Sequence, residues 1–176
     1  PRKACSVAKY LQSPIEYAHV NLGRGEHKTP GYLALNPNGK VPTLVDGTRV
    51  LWESTAIMCH LAARSDSELW PQDDRQIDVM RWLSWDLAQF YRAGGTLYFE
   101  HIIKARFGLG DVDPAATRQA TQEWRRLATI LDTHLHDRRW LVGDSVTVGD
   151  FAVGGFLPYA ARAHIPLDEF PAVRRW

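Results

Sequence analysis

Cysteine is scarce in this sequence, and the two it has, Cys5 and Cys59, stand 54 positions apart. No CxxC or Cys/His spacing is present, so neither a zinc site nor a disulfide framework is suggested, and two reduced thiols are expected. Long hydrophobic runs are also missing. No stretch approaches the ~18 apolar residues of a membrane span and no signal peptide is visible, so the expectation is a soluble cytoplasmic protein without a membrane partner. An excess of either charge is lacking: 21 basic and 20 acidic residues give a formal net charge of +1. With no basic stripe, nucleic acid is not an expected partner. Internal repeats and low-complexity tracts are absent, which excludes solenoid and linker-like chains.

What is present suits a globular core. Of the 176 residues 45% are hydrophobic and 11% aromatic, enough to bury one or two small domains. Ala4, Val7, Ala8 and Leu11 recur at helical spacing, predicting an amphipathic helix over 2–12. Ile15 to Leu22 alternates softly and predicts a strand. Thr29-Pro30 is an N-cap and first-position pair for a short helix through Leu35. Val41 to Val45 and Arg49 to Trp52 predict two strands around the turn Asp46-Gly47. Ser54 is then expected to cap a helix through Ala63. The polar stretch "RSDSELWPQDD" marks a domain boundary, with one domain over 1–66 and an all-helical one over 74–176. Gln76 to Phe107 carries Ile77, Met80, Leu83, Leu87, Phe90 and Tyr91 on one broad stripe, with a bend expected at Gly94-Gly95. Pro114 to His136 has a second helix face, and "SVTVGDFAV" contains a capping box of Thr147 with Asp150 and a hydrophobic staple of Val146 with Phe151.

The order of "GEHKTP", "NPNGKVPTL", "ESTAI" and "LVGDSVTVGDFAV" resembles the cytosolic glutathione transferase family, especially its phi-type and related bacterial members. The resemblance spans nearly the whole chain and rests on four motifs in register. It implies an α/β thioredoxin-like N-terminal domain joined to an all-α C-terminal domain. It also implies glutathione as co-substrate, no metal, and a homodimer. Residue by residue, Val41 matches the position whose backbone pairs with the cysteinyl part of glutathione like an added strand. Pro42 matches the family's cis-proline, which turns the Val41 amide and carbonyl toward a ligand. Glu53 and Ser54 match the pair that holds the γ-glutamyl end. Lys40 matches a polar contact, and His27 and Lys28 match contacts to the glycyl carboxylate. The residue chemistry agrees, because glutathione carries two carboxylates and one ammonium. A complementary site needs cations, a helix N-terminus and one acid. The competing reading is purely structural: an exposed polar helix start at His27 and Lys28, and helix capping at Glu53 and Ser54.

The implied activity is conjugation of the glutathione thiolate to apolar electrophilic small molecules. In the family a Ser, Tyr or Cys at the end of the first strand sits beside the sulfur. Here a helix opens almost at once at "PRKACSVAKYL", so that strand and residue are expected upstream of Pro1. Within the chain Cys5 and Ser6 are the nearest candidates. Trp85, Tyr91, Tyr98 and Arg106 are candidates for a second-substrate pocket, although aromatics at helical spacing are usually core. A glutathione-dependent thiol-disulfide or peroxide reductase, and a noncatalytic binding or assembly module, remain alternatives on the same scaffold.

Overall fold

A computed structural model describes all of residues 1–176. The chain forms two compact units, Pro1–Trp70 and Pro71–Trp176. The first unit opens with α1 (Arg2–Tyr10), whose Ala4, Val7 and Ala8 are buried as their spacing requires. After two short 3-10 turns comes α2 (Pro30–Leu35), capped by the Thr29 hydroxyl, which accepts from the Tyr32 amide at 3.4 Å. A hairpin of β1 (Thr43–Asp46) and β2 (Arg49–Trp52) follows, and then α3 (Ser54–Ala63). The strands pair antiparallel with Thr43 opposite Trp52 and Asp46 opposite Arg49. Gly47 takes φ +58° at the first loop position, where a residue with a Cβ would be strained. Helices α1 and α3 pack together, burying Ile57, Met58 and Ala62 of α3.

Three expectations fail in this unit. Residues 15–21 form no strand, and the sheet has only two members. Alternation alone does not make a strand; a neighbouring chain must supply ladder hydrogen bonds, and none runs beside this segment. Ser54 does not cap α3. It is the first helical residue, and the N-cap is Glu53. The first predicted strand also begins later, at Thr43, because Val41 and Pro42 lie outside the ladder.

The second unit is helical. It comprises α4 (Arg75–Trp85), α5 (Tyr91–Tyr98), α6 (Lys104–Phe107), α7 (Pro114–Leu135), α8 (Val148–Val153) and α9 (Pro171–Arg175). Helices α4 to α6 form one continuous rod. Its interruptions are not the expected glycine bend but two π turns, Asp86–Phe90 and Phe99–Ile103, marked by the Tyr91 amide donating to the Asp86 carbonyl and the Lys104 amide to the Phe99 carbonyl. Gly94 and Gly95 lie inside α5, where they admit a ring: a Cβ at Gly94 would meet Phe156 at 3.5 Å. Helix α5 packs on α7, and Trp124 sits at the centre of the core against Phe90 and Phe170, with ring centroids 5.7 and 5.3 Å away. The capping box at Thr147 and Asp150 forms in both directions.

Candidate functional site

The site grows from three neighbouring pieces of the first unit. The first is the 3-10 turn Glu26–Lys28 and the loop that it touches. Glu26 anchors the turn by accepting from the Asn21 amide at 2.6 Å. Lys28 is exposed and lies over Gly39, where a Cβ would stand 2.8 Å from Lys28 Nζ and 3.0 Å from the His27 carbonyl oxygen. Gly39 also has φ +56°, so both its backbone and its close neighbours require glycine. His27 is half-buried, and its buried Nδ1 has no hydrogen-bond partner. Such an atom is costly unless a ligand or water satisfies it.

The second piece is the loop 36–43. Asn36 is 2% exposed and spends its whole side chain locally. Its Nδ2 donates to the Lys40 carbonyl at 2.7 Å and to Thr43 Oγ1 at 3.2 Å, and its Oδ1 accepts from the Asn38 amide and side chain at 3.1 Å each. Tyr32 Oη reaches the same two groups, donating to the Lys40 carbonyl at 2.8 Å and meeting Thr43 Oγ1 at 2.9 Å. The Val41–Pro42 peptide bond is cis. No hydrogen bond in the structure uses the N–H or C=O of Val41.

The third piece is the start of α3. Glu53 takes φ +72°, rare for a residue with a side chain, and its carboxylate does not cap the helix. The Ile57 amide donates to the Glu53 carbonyl at 3.0 Å and begins the helical ladder. The amides of Ser54, Thr55 and Ala56 precede that ladder and, with the helix dipole, present partial positive charge. Val41 and Ser54 leave the same end of the hairpin, two residues beyond the pair Thr43 and Trp52 on either strand. The hairpin is tied to α3 at its other end, where His60 Nε2 lies 2.8 Å from Asp46 Oδ2 and Arg64 Nε 3.6 Å from it. The His60 hydrogen bond, with help from Arg64, holds the Asp46 carboxyl below its ordinary value.

This end of the hairpin therefore joins an open backbone pair, an uncapped helix N-terminus and an acid, with Lys40 exposed beside Val41 and His27 and Lys28 packed against the same loop. The remaining candidates lie elsewhere. Cys5 and Ser6 are half-buried in the second turn of α1, the Cys5 amide already donating to the Pro1 carbonyl at 3.0 Å. Trp85 stacks on Phe90 at 4.9 Å, whereas Tyr91 and Tyr98 share Phe156 at 4.8 and 5.8 Å. Arg106 is exposed in α6 over Phe107, so the four residues do not form one cluster. Two open clefts, of about 810 and 550 Å³, run along the C-terminal end of α7 and share Asp137, Arg138 and Arg139. Neither is lined by a residue of the site. Tyr32 and Asn36 were missed by sequence reasoning; the asparagine of "NPNGK" was read only as a turn signal.

Residues 1–64 match the family description "Glutathione S-transferase, N-terminal domain", and residues 114–176 match "Glutathione S-transferase, C-terminal domain". Glutathione S-transferase 3 of Zea mays is 32% identical over 92% of this chain and 75% of its own length. The chain belongs to the glutathione S-transferase family. Its relatives in solved structures include glutathione S-transferase-I bound with lactoylglutathione, 25% identical with a TM-score of 0.91 over 99% of this chain and 85% of that one. A Phanerochaete chrysosporium glutathione transferase in complex with oxidized glutathione is 26% identical, with a TM-score of 0.85 over 99% and 80% of the two chains. The glutathione S-transferase fold, a mixed N-terminal unit with a small antiparallel sheet and a helical C-terminal unit, is thus the one this sequence adopts.

Proposed function

We propose that the protein is a glutathione transferase that holds glutathione at the open end of its hairpin and presents the thiol to apolar electrophilic small molecules. The observation that supports this most directly is the free N–H and C=O of Val41 beside the uncapped start of α3. An extended peptide pairs with such a backbone edge as an added strand, which suits the cysteinyl residue of glutathione. The γ-glutamyl carboxylate meets the Ser54 hydroxyl and the first amides of α3, and Glu53 receives the ammonium. Lys28, Lys40 and His27 supply the contacts to the glycyl carboxylate. Metal takes no part in this reading. A thiol of pKa ~8.5 is only a few per cent ionised at pH 7, and lowering it by two units takes about 2.7 kcal/mol of preferential thiolate stabilisation.

The reductase alternative gains no support from Cys59, whose thiol burial pushes up to about 11. A second copy of the chain is the expected partner, because Ile77, Met80, Leu87 and Tyr91 leave large apolar side chains exposed along the second unit's rod. Both thiols are free, which suits a reducing, cytoplasmic setting.

The reading is tested by ultraviolet difference absorbance of the purified protein titrated with glutathione near neutral pH, followed by conjugation to a chromogenic aryl halide. Saturable thiolate formation and product are expected. Binding without thiolate would mark a noncatalytic module, and no binding would overturn the assignment.

A further inference from the structure

The loop that carries Val41 is fixed on both sides by one residue of α2 and the residue that ends it. Tyr32 lies within α2, and Asn36 is its C-cap, where the backbone has turned extended. Each bonds to both the Lys40 carbonyl and the Thr43 hydroxyl. The proton count closes in one way. Tyr32 gives its single proton to the Lys40 carbonyl, and Asn36 gives one proton to that carbonyl and one to Thr43 Oγ1. Thr43 then gives its own proton back to Tyr32 Oη. The result is a closed ring that grips the residue before Val41 and the residue after Pro42. Asn36 is almost wholly removed from water, so breaking its bonds leaves buried polar groups unsatisfied.

We propose that Tyr32 and Asn36, acting through Lys40 and Thr43, are positioning residues for glutathione. Their ring sets the plane of the Val41 amide and carbonyl, and through it the place of the cysteinyl sulfur. The proposal rests on the glutathione reading above. Strand-like pairing needs both Val41 groups aimed at the ligand together, and the ring holds the loop so that neither group is drawn into an internal bond. A small swing of Val41 would displace the sulfur from its reacting geometry, where rate falls steeply with misplacement. Neither Tyr32 nor Asn36 is placed against glutathione itself, so the role is distinct from that of Ser54 and Glu53, which hold its γ-glutamyl end.

Tyr32→Phe and Thr43→Val each delete a hydroxyl from the ring at nearly constant shape, and Thr43→Ser keeps it. The measurements are glutathione affinity by calorimetry, the melting temperature, and KM for glutathione and for the electrophile alongside kcat. The first two variants are expected to raise Kd and KM for glutathione by about fivefold to tenfold, as loss of a hydrogen bond of ordinary worth implies, and to lower kcat as the sulfur is misplaced. KM for the electrophile should stay unchanged, and Thr43→Ser should match the wild-type protein. A merely structural ring would lower the melting temperature and the apparent kcat while leaving KM for glutathione unchanged, and that pattern overturns the proposal. Wild-type protein that binds while both variants bind equally well overturns the ring alone. Wild-type protein that does not bind overturns the ring and the glutathione reading together.

Discussion

The indole of Trp176 donates from Nε1 to Asp150 Oδ1 at 2.9 Å, so the last residue of the chain is fastened to the first turn of α8. The same carboxylate accepts from the Leu141 amide at 3.0 Å and from the amide and hydroxyl of Thr147 at 2.8 and 2.9 Å. Four donors from three segments thus converge on one buried acid. Asp150→Ala should lower stability by about 3–5 kcal/mol, since it strands several buried donors at once. Thr147→Ala, which removes one bond to the hub and one cap, should lower stability by about 1 kcal/mol. Chemical denaturation checks both, and equal effects of the two substitutions would refute the hub.

At the start of α3, Ser54→Ala should weaken glutathione binding by about 1–3 kcal/mol, through loss of a hydrogen bond to a carboxylate. Its effect on folding should be small, because Ser54 is the first helical residue and not the cap. Calorimetric titration together with a melting curve separates the two effects. Unchanged affinity would remove Ser54 from the site.

Acid should act on the second unit through Glu100. Its carboxyl is buried and accepts from the Asp113 amide at 2.7 Å, with Lys104 Nζ also 2.7 Å away. The Asp113 amide first, and Lys104 second, hold it below its ordinary value of 4.5. The group binds protons more weakly folded than unfolded, so its stabilisation is present above the ordinary carboxylate range and is lost as pH falls through the lower folded value. Melting temperature followed downward from pH 5 should decline, and Glu100→Gln should make that decline shallower. An identical pH profile in the variant would refute the role.

Cys59 should be nearly inert at neutral pH. With its thiol pushed up to about 11 by burial, only about one molecule in ten thousand carries the thiolate at pH 7. Mass spectrometry after brief alkylation should find Cys59 unmodified in the folded protein and modified once it is unfolded. Rapid labelling in the folded state would reopen the reductase alternative.

What the sequence disclosed was whatever has a local chemical signal. The four-residue spacing of Ala4 and Ala8, the Asp46-Gly47 turn and the Thr147–Asp150 box each act within a few residues, and each formed. The soft alternation over 15–22 failed because a strand depends on a neighbour that alternation does not specify. Ser54 was misplaced by one position because Glu53 adopts a left-handed φ that its side chain does not advertise. The ring of Tyr32 and Asn36 was illegible for a related reason. Both act through a carbonyl and a hydroxyl brought near only by the folded loop.

The two π turns have a consequence for the length of the rod as well as its shape. Each i→i+5 turn takes in roughly one residue more than an α turn over the same rotation, so everything beyond it lies about 100° from where an unbroken α-helix of the same residues would put it. Tyr91 and Tyr98 reach the same ring, Phe156, from a stretch that lies between these two insertions. An unbroken α ladder through all of 86–90 would carry both tyrosines about 100° away from that ring, whereas deleting a single residue there would let an α-helix form with their phase kept. The extra residue is stored within the turn, and the rod can give it up without turning the tyrosines.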